Sequence, residues 1–252
     1  MLDVHALVKT VAGGRRVLDG VTFSVKPGEF IGILGSSGAG KSLTLRAITG
    51  LTEIDSGEVR FTGADQSICR VAHAKGAELR AARRQIGVIF QGLHLVKRLS
   101  VLENVMIGRL GYISPLRSWL YGFTDAEARA AVGALEQVEL ASFADRLTAT
   151  LSGGEMQRVA IARAIFQQPR LYLADEPIAS LDPRNAEGIL KLLQPLAKDT
   201  PVIGTFHQPD FTRRFCTRVI GIRAGRVVYD GSPQLSHHDL NEIYGIREVQ
   251  TA

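Results

Sequence analysis

A chain of 252 residues that is 45% hydrophobic and 22% charged has an ordinary soluble composition, long enough for one sizeable core or a core with a subdomain. No stretch approaches the roughly 18–20 apolar residues of a membrane helix. Met1-Leu2-Asp3-Val4-His5 does not open a secretory signal, and two cysteines far apart, Cys69 and Cys216, argue against a disulfide framework and fit a reducing cytosol. The net charge of +5 reads as a slightly basic, solvated surface, and Arg80 to Arg84, the densest basic patch, is too short to indicate a nucleic-acid partner.

In chain order, the first 30 or so residues and Gly57 to Thr62 read as antiparallel strands. Phe30 to Leu34, Leu171 to Ala174 and Val202 to Phe206 are short, continuous apolar runs, the pattern of strands buried on both faces of a parallel sheet. Ile86 to Phe90 is also strand-like, and residues 92–160 look mainly helical between strand-rich halves. Thr124-Asp125-Ala126-Glu127 is a capping box opening a helix with Ala128, Ala131, Val132, Leu135 and Val138 on one face. Val219 to Arg223 and Arg226 to Tyr229 flank Ala224-Gly225, the signature of a hairpin. The tail after Ser232 is short.

Three clusters carry chemistry. Gly35-Ser36-Ser37-Gly38-Ala39-Gly40-Lys41-Ser42 matches the eight-residue P-loop pattern and lies between the Phe30 to Leu34 strand and a helical run from Leu43. Its glycines let backbone N–H groups curl around phosphates, Lys41 adds a point charge, and Ser42 offers a hydroxyl to Mg²⁺. Leu151-Ser152-Gly153-Gly154-Glu155 is a second capping box, opening a helix that runs to Gln168 before Pro169. A helix start is an anion site, and the two glycines leave no side chain in the way; any capped helix after a Gly-rich turn would look the same. Asp175 and Glu176, 23 and 24 residues after Ser152, end an apolar strand as a metal-binding carboxylate and a carboxylate that can polarise water.

Together these motifs resemble those of ATP-binding cassette (ABC) ATPases over nearly the whole chain. The resemblance implies an α/β P-loop NTPase with a RecA-like parallel-sheet core, an N-terminal antiparallel β subdomain and an inserted helical subdomain. It would be organised as core and β subdomain at 1–91 and 161–235, helical subdomain at 92–160 and tail at 236–252. It also implies roles: Gln91 as the Q-loop glutamine contacting Mg²⁺ and water; Asp182, in Ser180-Leu181-Asp182, as the D-loop aspartate; His207 as the switch histidine at the γ-phosphate; Ser152 to Glu155 as the signature motif, which binds the ATP held by a second copy. ATP and Mg²⁺ are the implied cofactors. The implied partners are a second copy, a transmembrane permease and, indirectly, a periplasmic or lipid-anchored solute-binding protein, with the chain on the cytoplasmic face of the bacterial inner membrane.

Finer resemblance points to the phosphonate import subfamily, which includes phosphite importers. It is carried by Arg98 to Val105, the Gly111 to Phe123 insert with Trp119, Ala174 to Pro183, and His207-Gln208 with Asp210 and Cys216. The chain departs from its pattern at three places. Val11 stands where an aromatic usually stacks on adenine, leaving Arg15 or Arg16 as substitutes; Glu155-Met156 replaces the commoner Gln-Gln; Phe206 replaces Leu. An importer or exporter subunit for another solute, a cytosolic ABC ATPase acting on ribosomes or DNA, and a nucleotide-binding module without turnover are the alternatives. The intact Lys41, Asp175, Glu176 and His207 argue against the last, and the lack of sustained heptads over residues 43–151 against the coiled-coil chromosome-maintenance type.

Overall fold

The computed structural model describes residues 1–62, 68–113, 122–179 and 181–246. In chain order the strands are β1 (Leu2–Thr10), β2 (Arg16–Val25), β3 (Phe30–Leu34), β4 (Ser56–Thr62), β5 (Ile68–Arg70), β6 (Ile86–Ile89), β7 (Leu171–Ala174), β8 (Val202–Thr205), β9 (Arg218–Arg223) and β10 (Arg226–Gly231). The α-helices are α1 (Lys41–Ile48), α2 (Gly76–Arg84), α3 (Val101–Met106), α4 (Asp125–Gln137), α5 (Gly153–Gln167), α6 (Pro183–Leu196), α7 (Pro209–Phe215) and α8 (His237–Tyr244). The chain divides into two compact units, one of Met1–Arg83 with Leu196–Ala252, the other of Arg84–Pro195.

In the first unit, an antiparallel sheet runs β2-β1-β4-β5. Leu2 and Val4 of β1 alternate inward, and then the period slips. Ala6 takes a left-handed φ of 48° and its N–H donates to Thr22 Oγ1 at 2.9 Å. The register with β2 shifts between Val4 and Leu7, so Leu7 returns to the buried face. One extra residue preserves the apolar face that a strict period of two would have lost.

The same unit holds β3, paired in parallel with β8 and β9, and β10 antiparallel on β9. All five β3 residues and all four β8 residues are buried, which is why both read as unbroken apolar runs. Phe206 is 1% exposed, with its ring centroid 6.3 Å from that of Phe30. A Cβ on Gly204 would come within 2.7 Å of the Phe206 ring, so the larger residue after this strand is accommodated by the glycine two positions before it. The β9–β10 turn places Ala224 and Gly225 at φ 49° and 78°, the paired left-handed values of a type I′ hairpin.

In the second unit, β6 and β7 pair in parallel. The α4 capping box forms: Thr124 N–H donates to Glu127 Oε2 at 2.7 Å, and Glu127 N–H to Thr124 Oγ1 at 3.2 Å. Its buried stripe differs slightly from the expected one: Ala131, Ala134, Leu135 and Val138 are buried, while Ala128 and Val132 are half-buried. Two further capping boxes, Ser100–Glu103 on α3 and Ser236–Asp239 on α8 in the first unit, obey the same spacing and were equally readable. Within the Gly111 to Phe123 insert, residues 114–121, Trp119 among them, lie outside the described residues.

Residues 92–160, read as mainly helical, hold α3, α4 and the start of α5, together with a seam of backbone pairing. Residues 97–102 are stitched to residues 144–149 by backbone hydrogen bonds, including Val101 N–H to Arg146 O at 2.9 Å and Thr148 N–H to Leu99 O at 3.0 Å. Asn104, fully buried, organises this seam. Its Oδ1 accepts from Val96 N–H at 2.8 Å, and its Nδ2 lies 3.0 Å from Val96 O, 2.9 Å from Ser100 O and 2.8 Å from Thr148 Oγ1. Asn104→Ala leaves several buried polar groups without this partner. It is expected to lower the unfolding free energy by about 2–4 kcal/mol, read from urea denaturation.

Candidate functional site

The glycine-rich loop of the first unit connects the buried end of β3 to α1. Its backbone explains its glycines. Gly35 has φ 152°, and a Cβ there would strike Ile222 O at 2.1 Å; Gly40 has φ 109°, and a Cβ there would meet Val17 O at 2.9 Å. Gly40 offers no side-chain cap to α1, and a helix start presents the positive end of its dipole to an anion. Ser36, Ser37 and Gly38 are exposed, whereas Gly35, Ala39, Gly40 and Lys41 are buried. Lys41, 5% exposed, donates from Nζ to Gly35 O at 2.7 Å and Ser36 O at 3.1 Å, which lays its ammonium along the loop. Ser42 follows on the first turn of α1 and is half-buried.

Also in the first unit, His207 is exposed immediately beyond β8. Tyr244 of α8 donates its hydroxyl to His207 O at 3.2 Å, a brace that nothing local in the sequence signals. Val11, 38% exposed, lies in the turn after β1, where Val11 N–H donates to Arg15 O at 3.0 Å. Arg16 donates to Asp19 at 3.1 Å, and Arg226 reaches the same carboxylate at 2.6 Å, which holds Asp19 below the usual carboxylate range.

The second unit carries the carboxylates. Asp175, 7% exposed, continues β7, and its N–H donates to Ile89 O at 2.9 Å. Glu176 has φ 49°, a costly value for a side chain of this size and one found preferentially at functional sites. Gln91, 85 residues away in sequence, donates from Nε2 to Glu176 Oε2 at 2.8 Å, so the structure brings these two predicted residues together. The backbone after Gln91 turns through Leu93 and His94 at φ 57° and 48°. Arg163 of α5 holds that turn, donating to Leu93 O at 2.6 Å and His94 O at 2.9 Å. Arg163 is a positioning residue that the sequence reading missed; its only trace there is an Arg that interrupts the apolar run from Val159 to Phe166.

In the segment Leu151 to Glu155, Ser152 caps α5. Its N–H and Oγ both donate to Glu155 Oε2 at 2.7 Å, and Glu155 N–H returns to Ser152 Oγ at 3.4 Å. The Ser152 hydroxyl and N–H hold the Glu155 carboxyl below its ordinary range. Ser152 and Gly153 are exposed, and a Cβ on Gly153 would meet nothing within 4 Å, so the approach to the helix start is open. Asp182 is the N-cap of α6, accepting from the N–H of Arg184 and Asn185 at 3.1 Å and from Asn185 Nδ2 at 2.5 Å. Ser180 lies outside the described residues.

Among the described residues no cluster of three or more His, Cys, Asp and Glu side chains could hold a metal alone. Ser42 in the first unit and Asp175 in the second each carry an oxygen donor of the kind a hard cation such as Mg²⁺ takes. Among the described residues no helix is long and apolar enough to cross a membrane.

A buried parallel strand that runs through a glycine-rich loop into a helix, with an apolar strand ending in two carboxylates, defines the class of P-loop ATPases. The ABC transporter family model matches residues 18–179, and the chain belongs to that family. It is 43% identical over 247 residues to the phosphonates import ATP-binding protein PhnC of Bordetella parapertussis, covering 97% of this chain and 96% of the relative. It is 44% identical over 238 residues to the hypophosphite import ATP-binding protein HtxD of Stutzerimonas stutzeri, covering 92% and 68%. Among solved structures it is similar to the dimeric post-hydrolysis state of the ATP-binding cassette MJ0796 bound to ADP and Pi, with TM-score 0.77, 31% identity and coverage of 94% and 100%. It is also similar to the ADP conformation of the cassette MJ1267, with TM-score 0.79, 28% identity and coverage of 99% and 96%.

Proposed function

We propose that this chain is the ATP-binding and hydrolysing subunit of an ABC import system for phosphonate or a related phosphorus oxyanion such as phosphite or hypophosphite. The observation that carries the solute class is the full-length likeness to phosphonate import ATP-binding proteins, with identity above 40%. The motif chemistry carries the ATPase.

Two copies pair head to tail about a two-fold axis. The loop from Gly35 to Ser42 holds the phosphates of ATP, with Lys41 as the point charge on the β- and γ-phosphates. Ser42, Asp175 and Gln91 are the residues that would offer ligands to Mg²⁺, which would supply charge neutralisation on the phosphates when bound. Glu176 takes the proton of the attacking water, and Gln91 fixes its carboxylate through Oε2. His207 contacts the γ-phosphate, and Ser152 to Glu155 of the second copy close over it, with Asp182 at the same interface. Arg15 covers the adenine, since Arg16 is already held by Asp19. The chain sits on the cytoplasmic face of the membrane against a permease, which receives solute from a binding protein. ATP binding on both copies converts into closure, and hydrolysis reopens them.

The test is growth of the source organism on single phosphorus sources. Deletion of the gene is expected to abolish growth on methylphosphonate, phosphite or hypophosphite and to leave growth on phosphate intact. The wild-type gene restores it and the Lys41→Ala gene does not. Unimpaired growth on all three sources after deletion would assign the subunit to another solute.

A further inference from the structure

We propose that Glu155 is a positioning residue that competes with the γ-phosphate of ATP held by a second copy, and so sets the ATP concentration at which two copies close. The inference rests on the reading that the signature segment acts on the partner's nucleotide. Ser152 has one hydroxyl proton, and it is committed to Glu155 Oε2 at 2.7 Å, with the Ser152 N–H on the same oxygen. A carboxylate accepts and cannot donate, so it takes from the helix start the donors that an incoming phosphate needs. It also places a full negative charge where the positive end of the α5 dipole would attract an anion. Arg146 is the cation whose field acts on Glu155, and its guanidinium stacks over Phe143 at 4.2 Å rather than pairing with the carboxylate. Closure therefore requires the Ser152 hydroxyl to rotate from Glu155 to the arriving phosphate, against carboxylate–phosphate repulsion. A glutamine keeps an acceptor for the Ser152 N–H and removes the charge.

The experiment uses the full chain and its Glu155→Gln variant, both also in a Glu176→Gln background that retains ATP. ATP is titrated while the dimer fraction is read by light scattering, with steady-state hydrolysis on the chains with intact Glu176. Glu155→Gln is expected to lower the half-saturating ATP for both closure and hydrolysis about 3- to 10-fold. ADP affinity is expected to stay unchanged, because ADP brings no γ-phosphate. The shift should shrink at about 0.5 M salt, where exposed charges are screened. A mere helix cap would change the melting temperature alone, so an unchanged or raised half-saturating ATP overturns the proposal. A Ser152→Arg chain separates the two failures. If it hydrolyses ATP normally, the partner-site reading falls and this inference with it. If it is inactive while Glu155→Gln shifts nothing, only the competition falls.

Discussion

Glu176→Gln is expected to lower ATP turnover at least about 10²- to 10³-fold, leave ATP affinity near wild type, and accumulate an ATP-bound dimer. The substitution is nearly isosteric, so the left-handed backbone at residue 176 is kept. The contact with Gln91 is kept too, because an amide oxygen accepts from Gln91 Nε2 as a carboxylate oxygen does. What disappears is proton acceptance: an amide cannot take the proton of water at neutral pH. Binding steps that depend on Lys41 and the loop amides precede that loss, so the protein should stop after closure and before cleavage. Single-turnover hydrolysis and size-exclusion chromatography with and without ATP read the two halves of the expectation. Hydrolysis within about 3-fold of wild type would place the base elsewhere.

What could be read from the sequence was the part in which neighbours along the chain explain one another. The β3, β7 and β8 runs were legible because burial on both faces forces unbroken apolar sequence. The capping boxes were legible because their hydrogen bonds close over three residues. Each half of the Gln91–Glu176 pair was visible as a motif, but their hydrogen bond spans 85 residues and exists only once β6 and β7 pair in register. Gly92 marks a turn, but the left-handed residues are Leu93 and His94, and Arg163, about 70 residues later, holds them. Asn104 is one polar residue in a stretch read as helical, and its partners Val96, Leu99, Ser100 and Thr148 come from segments on both sides of α4. The bulge at Ala6 hid for a related reason, since the residue that stabilises it, Thr22, lies on the next strand. Local chemistry was readable, and the pairings that aim it were written in partners distant along the chain.

Ser152→Arg is expected to leave ATP binding by the isolated chain intact and to reduce hydrolysis at least about 100-fold. Lys41, Asp175 and Glu176 of the same chain are untouched, so nucleotide affinity should hold. The substitution removes the hydroxyl and puts a long side chain across an open helix start flanked by Gly153 and Gly154, where a second copy would have to close. Losing the cap costs about 1 kcal/mol of helix stability, which a melting curve detects and which is too small to explain the loss of turnover. Mixing decides whether the site is shared. A hybrid of one Ser152→Arg copy and one Glu176→Gln copy contains one composite site with Lys41 and Glu176 from the first and an intact Ser152 from the second. Equal amounts of two inactive proteins should then recover up to about a quarter of wild-type hydrolysis, because half the dimers are hybrids and each has one working site. If Ser152 served the ATP of its own chain, both sites of the hybrid would be broken and mixing would recover nothing. Recovery from two inactive proteins is an outcome that a purely structural role for Ser152 cannot produce.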